Sequence, residues 1–257
     1  MKILKNIKPV YGAYAQLWPL KKYQKEIRAA RAAGDHEKAI DTMQKAIKIW
    51  SEGLVERFHS HVTIKGAENI PKKGPVFFVS NHQGFADIPA IYYTLRERQA
   101  GFIAKDDLKK APLYGQWVLD VGGLFLDRKN PRAAVKTFTE AEEMMKQGYS
   151  FVIFPEGTRS KGGPMNEFKK GAFKIPLRVG APIVPITISG TWKMLERDGY
   201  LHGGECTVVI HPPIETAGMD RKQQAEVPEM AYNIVRDELN KYEPQDELLA
   251  KVGKNEA

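Results

Sequence analysis

The sequence has very little cysteine and no long hydrophobic run. Cys206 is the only cysteine among 257 residues, which excludes a disulfide framework and a zinc site built from several cysteines. We interpret it as a small buried hydrophobic residue. No stretch reaches the ~18 to 20 continuous apolar residues of a membrane-spanning helix. No signal-peptide pattern opens the chain, so an intracellular protein without a transmembrane segment is expected.

Several functional signatures are also missing. The chain contains no dinucleotide-binding fingerprint, no phosphate-loop consensus and no Gly-x-Ser-x-Gly nucleophile elbow. Its histidines do not show the spacing of metal ligands. Metal catalysis and hydrolysis by an activated serine therefore have little support.

The positive charge that is present is unevenly distributed. The formal net charge is +8, and residues 1–60 hold 12 Lys/Arg against 6 Asp/Glu, so six of the eight surplus charges lie in the first quarter. A localised basic surplus favours an anionic partner, either nucleic acid or a membrane surface. The absence of a known recognition motif argues against nucleic acid.

The first twenty residues carry an apolar stripe at helical spacing, with lysines between its members. Pro9 and Gly12 predict that part of this segment is bent or irregular. The stripe either packs on the rest of the protein or lies in a membrane interface, where each Lys or Arg near an anionic leaflet gains about 1 kcal/mol. Its members are Ile3, Ile7, Val10, Tyr11, Tyr14, Leu17 and Trp18, interspersed with Lys2, Lys5 and Lys8.

A second apolar stripe is more regular and predicts a helix that packs on the main domain. Gly34-Asp35 is a turn signal between the two stripes, so residues 20–58 are predicted to form a helical hairpin. The second stripe recurs at three- and four-residue steps and consists of Ile40, Met43, Ile47, Trp50, Leu54 and Phe58.

From about residue 61, short apolar runs alternate with helical patterns. This alternation predicts an α/β fold: a central, mostly parallel sheet flanked by helices, with the N-terminal helical hairpin beside it. The expected division is a membrane-associating segment at 1–60, an α/β domain at 61–245 and a polar tail at 246–257. Predicted strands are His61–Lys65, Val76–Ser80, Gly101–Ala104, Gly123–Leu126, Ser150–Pro155, Ile183–Ser189 and Cys206–His211. Predicted helices are Ile88–Arg98, Leu113–Val121, Arg132–Gln147, Phe168–Val179 and Arg221–Lys241.

The most informative local pattern is Asn-His-Gln-Gly-Phe-Ala-Asp at 81–87, between a buried-strand run and Pro89. On a continuous helix, this spacing would place His82 and Asp87 roughly 140° apart. At a strand–turn–helix corner with Gly84 in the turn, the carboxylate can instead return to the imidazole. Such a pair can remove a proton from an alcohol near neutral pH. The alternative is that Asp87 is an ordinary helix N-cap beside an unrelated loop histidine.

Polar residues also follow three further predicted strands, and three of them are cations. Carboxyl ends of parallel strands meet at one edge, so one pocket with a base and up to three cations is expected there. Such a pocket suits a substrate that carries both a hydroxyl and a phosphate. The alternatives are solvated charges in ordinary turns and a local Asp127–Arg128 pair. The cations are Lys105, Arg128 and Arg159, and Glu156 and Thr158 project from the same Pro-Glu-Gly turn as Arg159.

Four blocks, in this order, resemble the glycerolipid acyltransferase family, specifically its 1-acyl-glycerol-3-phosphate acyltransferases. The resemblance covers about residues 60–215, and the ordered set is highly specific although the first block alone is not. The blocks are Asn81-His82 with Asp87; Gly122, Phe125, Asp127 and Arg128; Phe154 to Ser160; and Val184, Pro185 and Ile186.

The resemblance implies transfer of a fatty acyl group from a thioester to the sn-2 hydroxyl of lysophosphatidate, giving phosphatidate. It implies no metal and no cofactor, with acyl-coenzyme A or acyl carrier protein as the thioester co-substrate. In this resemblance His82 corresponds to the general base and Asp87 to its orienting partner. The implied substrate-binding residues are the cations Lys105, Arg128 and Arg159 and the acceptor loop of Glu156, Gly157 and Thr158.

One departure concerns the membrane. Many relatives carry an apolar membrane-spanning N-terminus, whereas this chain has a basic amphipathic one. We therefore expect peripheral or monotopic attachment to an anionic membrane surface on its cytoplasmic face, and no nucleic-acid partner.

Three alternatives stay open at this point. The acceptor could be another lysolipid or glycerol 3-phosphate. Water could replace the acceptor alcohol, which would make the protein a His–Asp thioesterase. The basic hairpin could be the functional part of a non-catalytic scaffold that binds lipid or nucleic acid, although four intact blocks argue against a decayed site.

Overall fold

The protein is described by a computed structural model that covers residues 2–245 and residue 248 of the chain, with side chains from residue 6 onward. The polar tail predicted at 246–257 therefore lies outside the described residues, apart from residue 248.

Within the described residues, seven strands form one sheet: β1 His61–Lys65, β2 Phe77–Ser80, β3 Gly101–Lys105, β4 Leu124–Leu126, β5 Phe151–Ile153, β6 Ile183–Ser189 and β7 Glu205–Ile210. Their order across the sheet is β1-β7-β6-β2-β5-β3-β4. The predicted strands are confirmed to within two residues at each end.

All neighbouring strands pair in parallel except β6 and β7, whose register places Ser189 opposite Thr207 and Ile186 opposite Ile210. The mostly parallel sheet is therefore confirmed. Because β1 runs parallel to β7, these two strands point opposite to the other five. Their first residues consequently lie at the same edge of the sheet as the carboxyl ends of β2, β3, β4, β5 and β6, which we call the catalytic edge.

Eight α-helices are described: α1 Lys2–Ala15, α2 Lys21–Ala32, α3 His36–Arg57, α4 Asp87–Thr94, α5 Tyr114–Asp120, α6 Pro131–Lys146, α7 Lys174–Val179 and α8 Arg221–Asn240. The helix predicted at Phe168–Val179 is wrong in its first half, where a 3-10 turn at Lys170–Phe173 precedes α7. Pro176 explains the late start, because proline is tolerated only in the first turn of a helix.

The N-terminal segment is helical throughout Lys2–Ala15, so the prediction of an irregular stretch is wrong. Pro9 removes one backbone hydrogen bond, but the helix continues past it. Gly12 has a packing reason to be there, because a Cβ at this position would lie 2.3 Å from Nε of Arg57. The glycine leaves room for that guanidinium between α1 and α3.

The helical hairpin is confirmed by α2 and α3. Gly34, with φ of +72°, forms the turn, and the Asp35 side chain caps α3 by accepting a hydrogen bond from the Lys38 N–H at 3.1 Å. Arg28 ties α2 to α5 through two bonds to the Asp120 carboxylate, of 2.8 and 2.6 Å. The helices α1, α2 and α3, which we call the helical layer, therefore sit firmly against the α/β domain.

The second apolar stripe packs into the core, as predicted. Met43 and Ile47 are fully buried, Trp50 and Leu54 nearly so, while Ile40 and Phe58 are partly buried. These side chains share one hydrophobic core with the central strands. The helical layer is thus packed as part of the same body as the sheet, and its predicted role as a membrane-associating segment stays a prediction. Among the described residues, no helix combines the length and apolarity needed to cross a bilayer.

Candidate active site

The structure brings His82 and Asp87 into contact at the catalytic edge. The chain leaves β2 at Ser80, turns through residues 81–86 and enters α4, whose first residue is Asp87. Nδ1 of His82 lies 2.6 Å from Oδ2 of Asp87. The N-cap position of α4 is Ala86, so the alternative of Asp87 as an N-cap has no support. The corner geometry that the sequence predicts is the one observed.

Four donors converge on the buried Asp87 carboxylate. Besides the imidazole, it accepts the N–H groups of Gln83 at 2.7 Å and Gly84 at 3.0 Å, and the hydroxyl of Thr191. A carboxylate can only accept, so Nδ1 of His82 must donate to it. The neutral imidazole then keeps its lone pair on Nε2, which is the atom able to take a proton from a hydroxyl.

The rest of His82 is also fixed in place. Its ring stacks on Phe154 with centroids 3.9 Å apart, and its side chain is 17% exposed. Its backbone N–H donates to Glu156 at 2.6 Å, and its carbonyl accepts the N–H of Ser160 at 2.8 Å. The turn after β5 therefore holds the histidine from the neighbouring strand end.

Glu156 directs its carboxylate at protein groups. One oxygen accepts the His82 N–H, and the other accepts the backbone and side-chain N–H groups of Asn166 at 2.8 and 2.7 Å. The residue is only 2% exposed, and this burial raises the pKa of its carboxyl to about 7. Its predicted part in acceptor binding stays a prediction, and the contacts show that it supports the histidine.

Asn81 fastens the same loop to β6. Its amide donates to the carbonyl of Ile188 and its oxygen accepts the Ile188 N–H, both at 2.8 Å. This pair of bonds imitates a strand pairing at the point where β2 ends. A side-chain amide has both the donor and the acceptor that this contact requires.

Arg128 and Gly157 are also in contact. The Arg128 guanidinium reaches from the end of β4 across β3 and donates to the carbonyl of Gly157. A Cβ at position 157 would lie 2.7 Å from Nη1 of Arg128 and 2.9 Å from Nζ of Lys169, and φ there is +74°. The left-handed φ favours glycine here, whereas the two nearby atoms are ends of flexible side chains that can shift. Lys169 is a second cation at this point, and sequence reasoning missed it.

The other predicted substrate-binding residues are more dispersed. Arg159 pairs with Glu196 at 2.8 Å and lies over the ring of Phe85, with its guanidinium carbon 3.9 Å from the centroid. Lys105 pairs with Asp107 on the surface, and Thr158 is exposed. The cations thus line the catalytic edge after β5, β3 and β4, and their binding of phosphate stays a prediction.

Sequence reasoning missed two further residues that hold the catalytic loop, Thr191 and Glu243. Thr191 follows β6 at the catalytic edge, so the argument from strand ends could have found it. Gln83 accepts the N–H of Gly190 at 2.8 Å and donates to Glu243 at 2.8 Å. Glu243 lies 160 residues further along the chain, and no local pattern indicates that contact.

An apolar groove of about 420 Å³ is lined in part by the loop between His82 and Asp87. The loop residues Phe85 and Ala86 form its near end. The helical layer supplies the opposite wall, which includes Val10, Tyr14 and Trp50. Residues at and near the starts of the reversed strands complete the lining, among them Phe58, Ser60, Val62 and Cys206.

Cys206 is buried, as predicted, and burial raises the pKa of its thiol to about 12. The thiol therefore stays protonated near neutral pH, where it is a weak nucleophile. It serves as a small apolar part of the groove wall.

The first apolar stripe divides into a part that lines the groove and a part that is exposed. Tyr14 and Leu17 turn inward to the groove. In contrast, Ile7 is 54%, Tyr11 74% and Trp18 69% exposed. The side chains of Ile3, Lys2 and Lys5 lie outside the described part of the chain.

An open, mostly parallel sheet with a histidine–aspartate pair at its carboxyl edge defines an α/β protein with a candidate general-base site. The model of the Acyltransferase family matches residues 61–189, and the chain belongs to this family. The family resemblance predicted from the four blocks is therefore confirmed.

Individual relatives agree with this assignment. The chain is 40% identical over 173 residues to the chloroplastic 1-acyl-sn-glycerol-3-phosphate acyltransferase BAT2 of Brassica napus, covering 65% of this chain and 48% of the relative. It is 30% identical over 196 residues to the 1-acyl-sn-glycerol-3-phosphate acyltransferase of Borreliella burgdorferi, covering 76% and 74%. The chain spans about half the length of the plant relatives that it matches.

A solved structure shares the fold over nearly the whole chain. The crystal structure of the 1-acyl-sn-glycerophosphate acyltransferase PlsC from Thermotoga maritima superposes with a TM-score of 0.70 at 25% sequence identity. The match covers 94% of this chain and 98% of that chain, so it extends to helices of the helical layer as well as the sheet.

Proposed function

We propose that this protein transfers a fatty acyl group from an acyl thioester to the sn-2 hydroxyl of 1-acyl-glycerol 3-phosphate, forming phosphatidate. The relatives named above carry this activity in their names. The observation that carries the proposal is the contact between His82 Nδ1 and Asp87, which leaves Nε2 to accept a proton, on a loop whose residues Phe85 and Ala86 line an apolar groove.

The chemistry follows from that arrangement. Nε2 of His82 accepts the hydroxyl proton as the hydroxyl oxygen attacks the thioester carbonyl carbon. Asp87 stabilises the imidazolium that forms. The carbon–sulfur bond then breaks, and the proton passes from Nε2 to the leaving sulfur, giving an ester and a free thiol. Stacking on Phe154 and the bonds from Glu156 and Ser160 keep the ring in place, so little reorganisation is required.

The site also separates the two ends of a lipid substrate. The groove excludes charged groups and accommodates a fatty chain. The guanidinium groups of Arg159 and Arg128 match the oxygens of a phosphate, with Lys105 and Lys169 as additional cations. Holding the phosphate brings the hydroxyl into attack position, which is the largest benefit when two substrates must meet.

The proposal also covers the acyl donor and the attachment of the protein to a membrane. Coenzyme A and acyl carrier protein are both anionic, and either suits a chain with a net charge of +8. Tyr11 and Trp18 project from the helical layer, and Nζ of Lys21 lies 3.7 Å from the Trp18 ring centroid. Exposed aromatic rings beside lysines are suited to the interface of an anionic bilayer, so peripheral attachment on the cytoplasmic face is proposed.

The experiment is acyl transfer from a long-chain acyl-coenzyme A to lysophosphatidate, with acyl carrier protein as donor in a second arm. It compares the unmodified protein with His82→Ala and with His36→Ala, a histidine at the start of α3 that contacts Tyr149 before β5, at the opposite edge of the sheet. We expect phosphatidate from the unmodified protein and from His36→Ala, and its loss in His82→Ala by a factor of about a thousand.

Each other result contradicts a defined part of the proposal. Full activity in folded His82→Ala would refute the general-base mechanism. Fatty acid release that does not depend on lysophosphatidate would identify a thioesterase. Products only with another lysolipid or with glycerol 3-phosphate would correct the acceptor, and lipid binding without any product would favour a non-catalytic scaffold.

A further inference from the structure

Glu196 connects the two loops that carry the proposed chemistry, although it lies outside all four sequence blocks. It follows the 3-10 turn Thr191–Met194 after β6. Oε1 of its carboxylate accepts the Phe85 N–H at 3.0 Å and the Nη1 of Arg159 at 2.8 Å. One oxygen therefore holds both the loop between His82 and Asp87 and the arginine after β5.

The environment of Glu196 is tight. Its side chain is 4% exposed, whereas the side chain of Arg159 is 27% exposed. Oε2 is buried and has no hydrogen-bond partner among the described residues. It packs directly on Gly84, where a Cβ would lie 2.3 Å from it. A buried carboxylate oxygen without a partner is costly, so the packing of this glutamate needs an explanation other than stability.

Arg159 shows what the glutamate achieves. The guanidinium carbon of Arg159 lies over the Phe85 ring, and one of its nitrogens donates a hydrogen bond to Glu196. A guanidinium has five N–H donors, and the contact with Glu196 uses one of them. The carboxylate thus fixes the direction of the planar group and leaves donors for an anion. Without it, a long side chain would lose more conformational entropy when it binds a ligand.

We propose that Glu196 is a positioning residue that holds Arg159 in the orientation needed for the phosphate of the acceptor. This inference rests on the proposed function, because it assigns the phosphate to Arg159. It predicts that Glu196 acts on the binding of the acceptor and has little effect on proton removal by His82.

The test is the variant Glu196→Gln, which keeps the side-chain shape and the oxygen that accepts from Phe85 and Arg159 but replaces the ion pair with Arg159 by a weaker neutral hydrogen bond. The matched control is Glu142→Gln, which removes the charge from another pair, Glu142 of α6 with Arg178 of α7, at 2.9 Å. We expect KM for lysophosphatidate to rise about tenfold in Glu196→Gln, with kcat and the donor KM changed by less than about threefold. The control should match the unmodified protein.

A binding measurement separates this inference from the proposed function. Calorimetric titration with lysophosphatidate, without any donor, should show the same roughly tenfold loss of affinity in Glu196→Gln. If the unmodified protein makes no phosphatidate but this loss is seen, the proposed reaction fails while the inference stands.

Two results would overturn the inference even if the reaction is confirmed. Unchanged or tighter acceptor binding in Glu196→Gln would show that the glutamate is neutral or competes with the phosphate. A lower melting temperature with a reduced kcat and both KM values unchanged would show a purely structural role.

Discussion

The catalytic edge and the helical layer border the same groove with opposite chemistry. At the edge, polar side chains hold the loops, as Asp87 does with four donors and Asn81 does with two bonds to β6. In the helical layer, the contacts toward the groove are apolar, as at Tyr14 and Trp50. We therefore expect a change at the catalytic edge to alter the rate, and a change in the helical layer to alter stability or the preferred length of the acyl chain.

The largest contrast is expected between two buried aspartates, Asp87 at the catalytic edge and Asp120 of α5, which anchors the helical layer through Arg28. Asp87→Asn removes the negative charge that stabilises the His82 imidazolium, and kcat should fall about 1000-fold. Asp120→Asn breaks the bonds to Arg28 in α2 and should cost about 1 to 2 kcal/mol of unfolding free energy, with kcat nearly unchanged. Steady-state kinetics and urea unfolding of both variants give the comparison. Equal losses of kcat in the two would refute it.

The second prediction concerns pH and the buried carboxyl of Glu156. Its pKa in the folded protein is raised to about 7 from an ordinary 4.5, so the folded state binds more protons than the unfolded state between these values. The contribution of Glu156 to the free energy of unfolding is fully present below about pH 4.5 and is lost as the pH rises toward 7. The loss amounts to about 3 kcal/mol. Glu156→Gln should flatten this decline in a series of unfolding curves. A decline of the same size in the variant would assign it to other groups.

The third prediction tests the wall that the helical layer contributes. Ala13 of α1 lines the groove, and Ala13→Phe should fill part of it. We expect kcat/KM for a long-chain acyl donor to fall about tenfold, with a short-chain donor little affected, because only the longer chain competes with the new ring. Ala32→Phe, on the exposed end of α2, is the control. An equal loss for donors of every length would exclude the groove as the site of the chain.

The smallest effect is expected at the outer face of the helical layer. Replacing Trp18 by Ser should weaken flotation with anionic liposomes about fivefold at low salt, because an interfacial aromatic anchor is lost. Met230→Ser removes an exposed apolar side chain from α8, 43% exposed, and should leave binding unchanged. Identical binding of both variants would remove the case for attachment through this face.

The contact between His82 and Asp87 could be predicted from the local sequence because the two residues are only five positions apart. The corner at Gly84 and the strand before it can be inferred from neighbouring positions. Thr191 and Glu196 contact the same loop from more than 100 residues away, and no alternation of apolar residues indicates such a meeting. Predicting these contacts requires the strand order, which places the ends of β6 and β5 on either side of β2.

The antiparallel direction of β7 could have been predicted from the segment that connects it to β6. Both β6 and β7 are apolar and largely buried, so their patterns do not reveal whether they run parallel. A parallel pair requires a crossover, which is usually a helix. The connection from Gly190 to Gly204 contains only a 3-10 turn, and this favours the antiparallel pairing that is observed.

The reversal of β1 has an evolutionary consequence. The chain passes from the helical layer into the sheet once, at residues 58–61, directly at the catalytic edge. Every hydrogen bond described for His82 and Asp87 comes from residues beyond that junction. A recombination there would exchange one wall of the groove in one event and leave the catalytic loop intact. Under the proposed function, selection on the lipid chain and selection on the chemical step act on separate stretches of the gene.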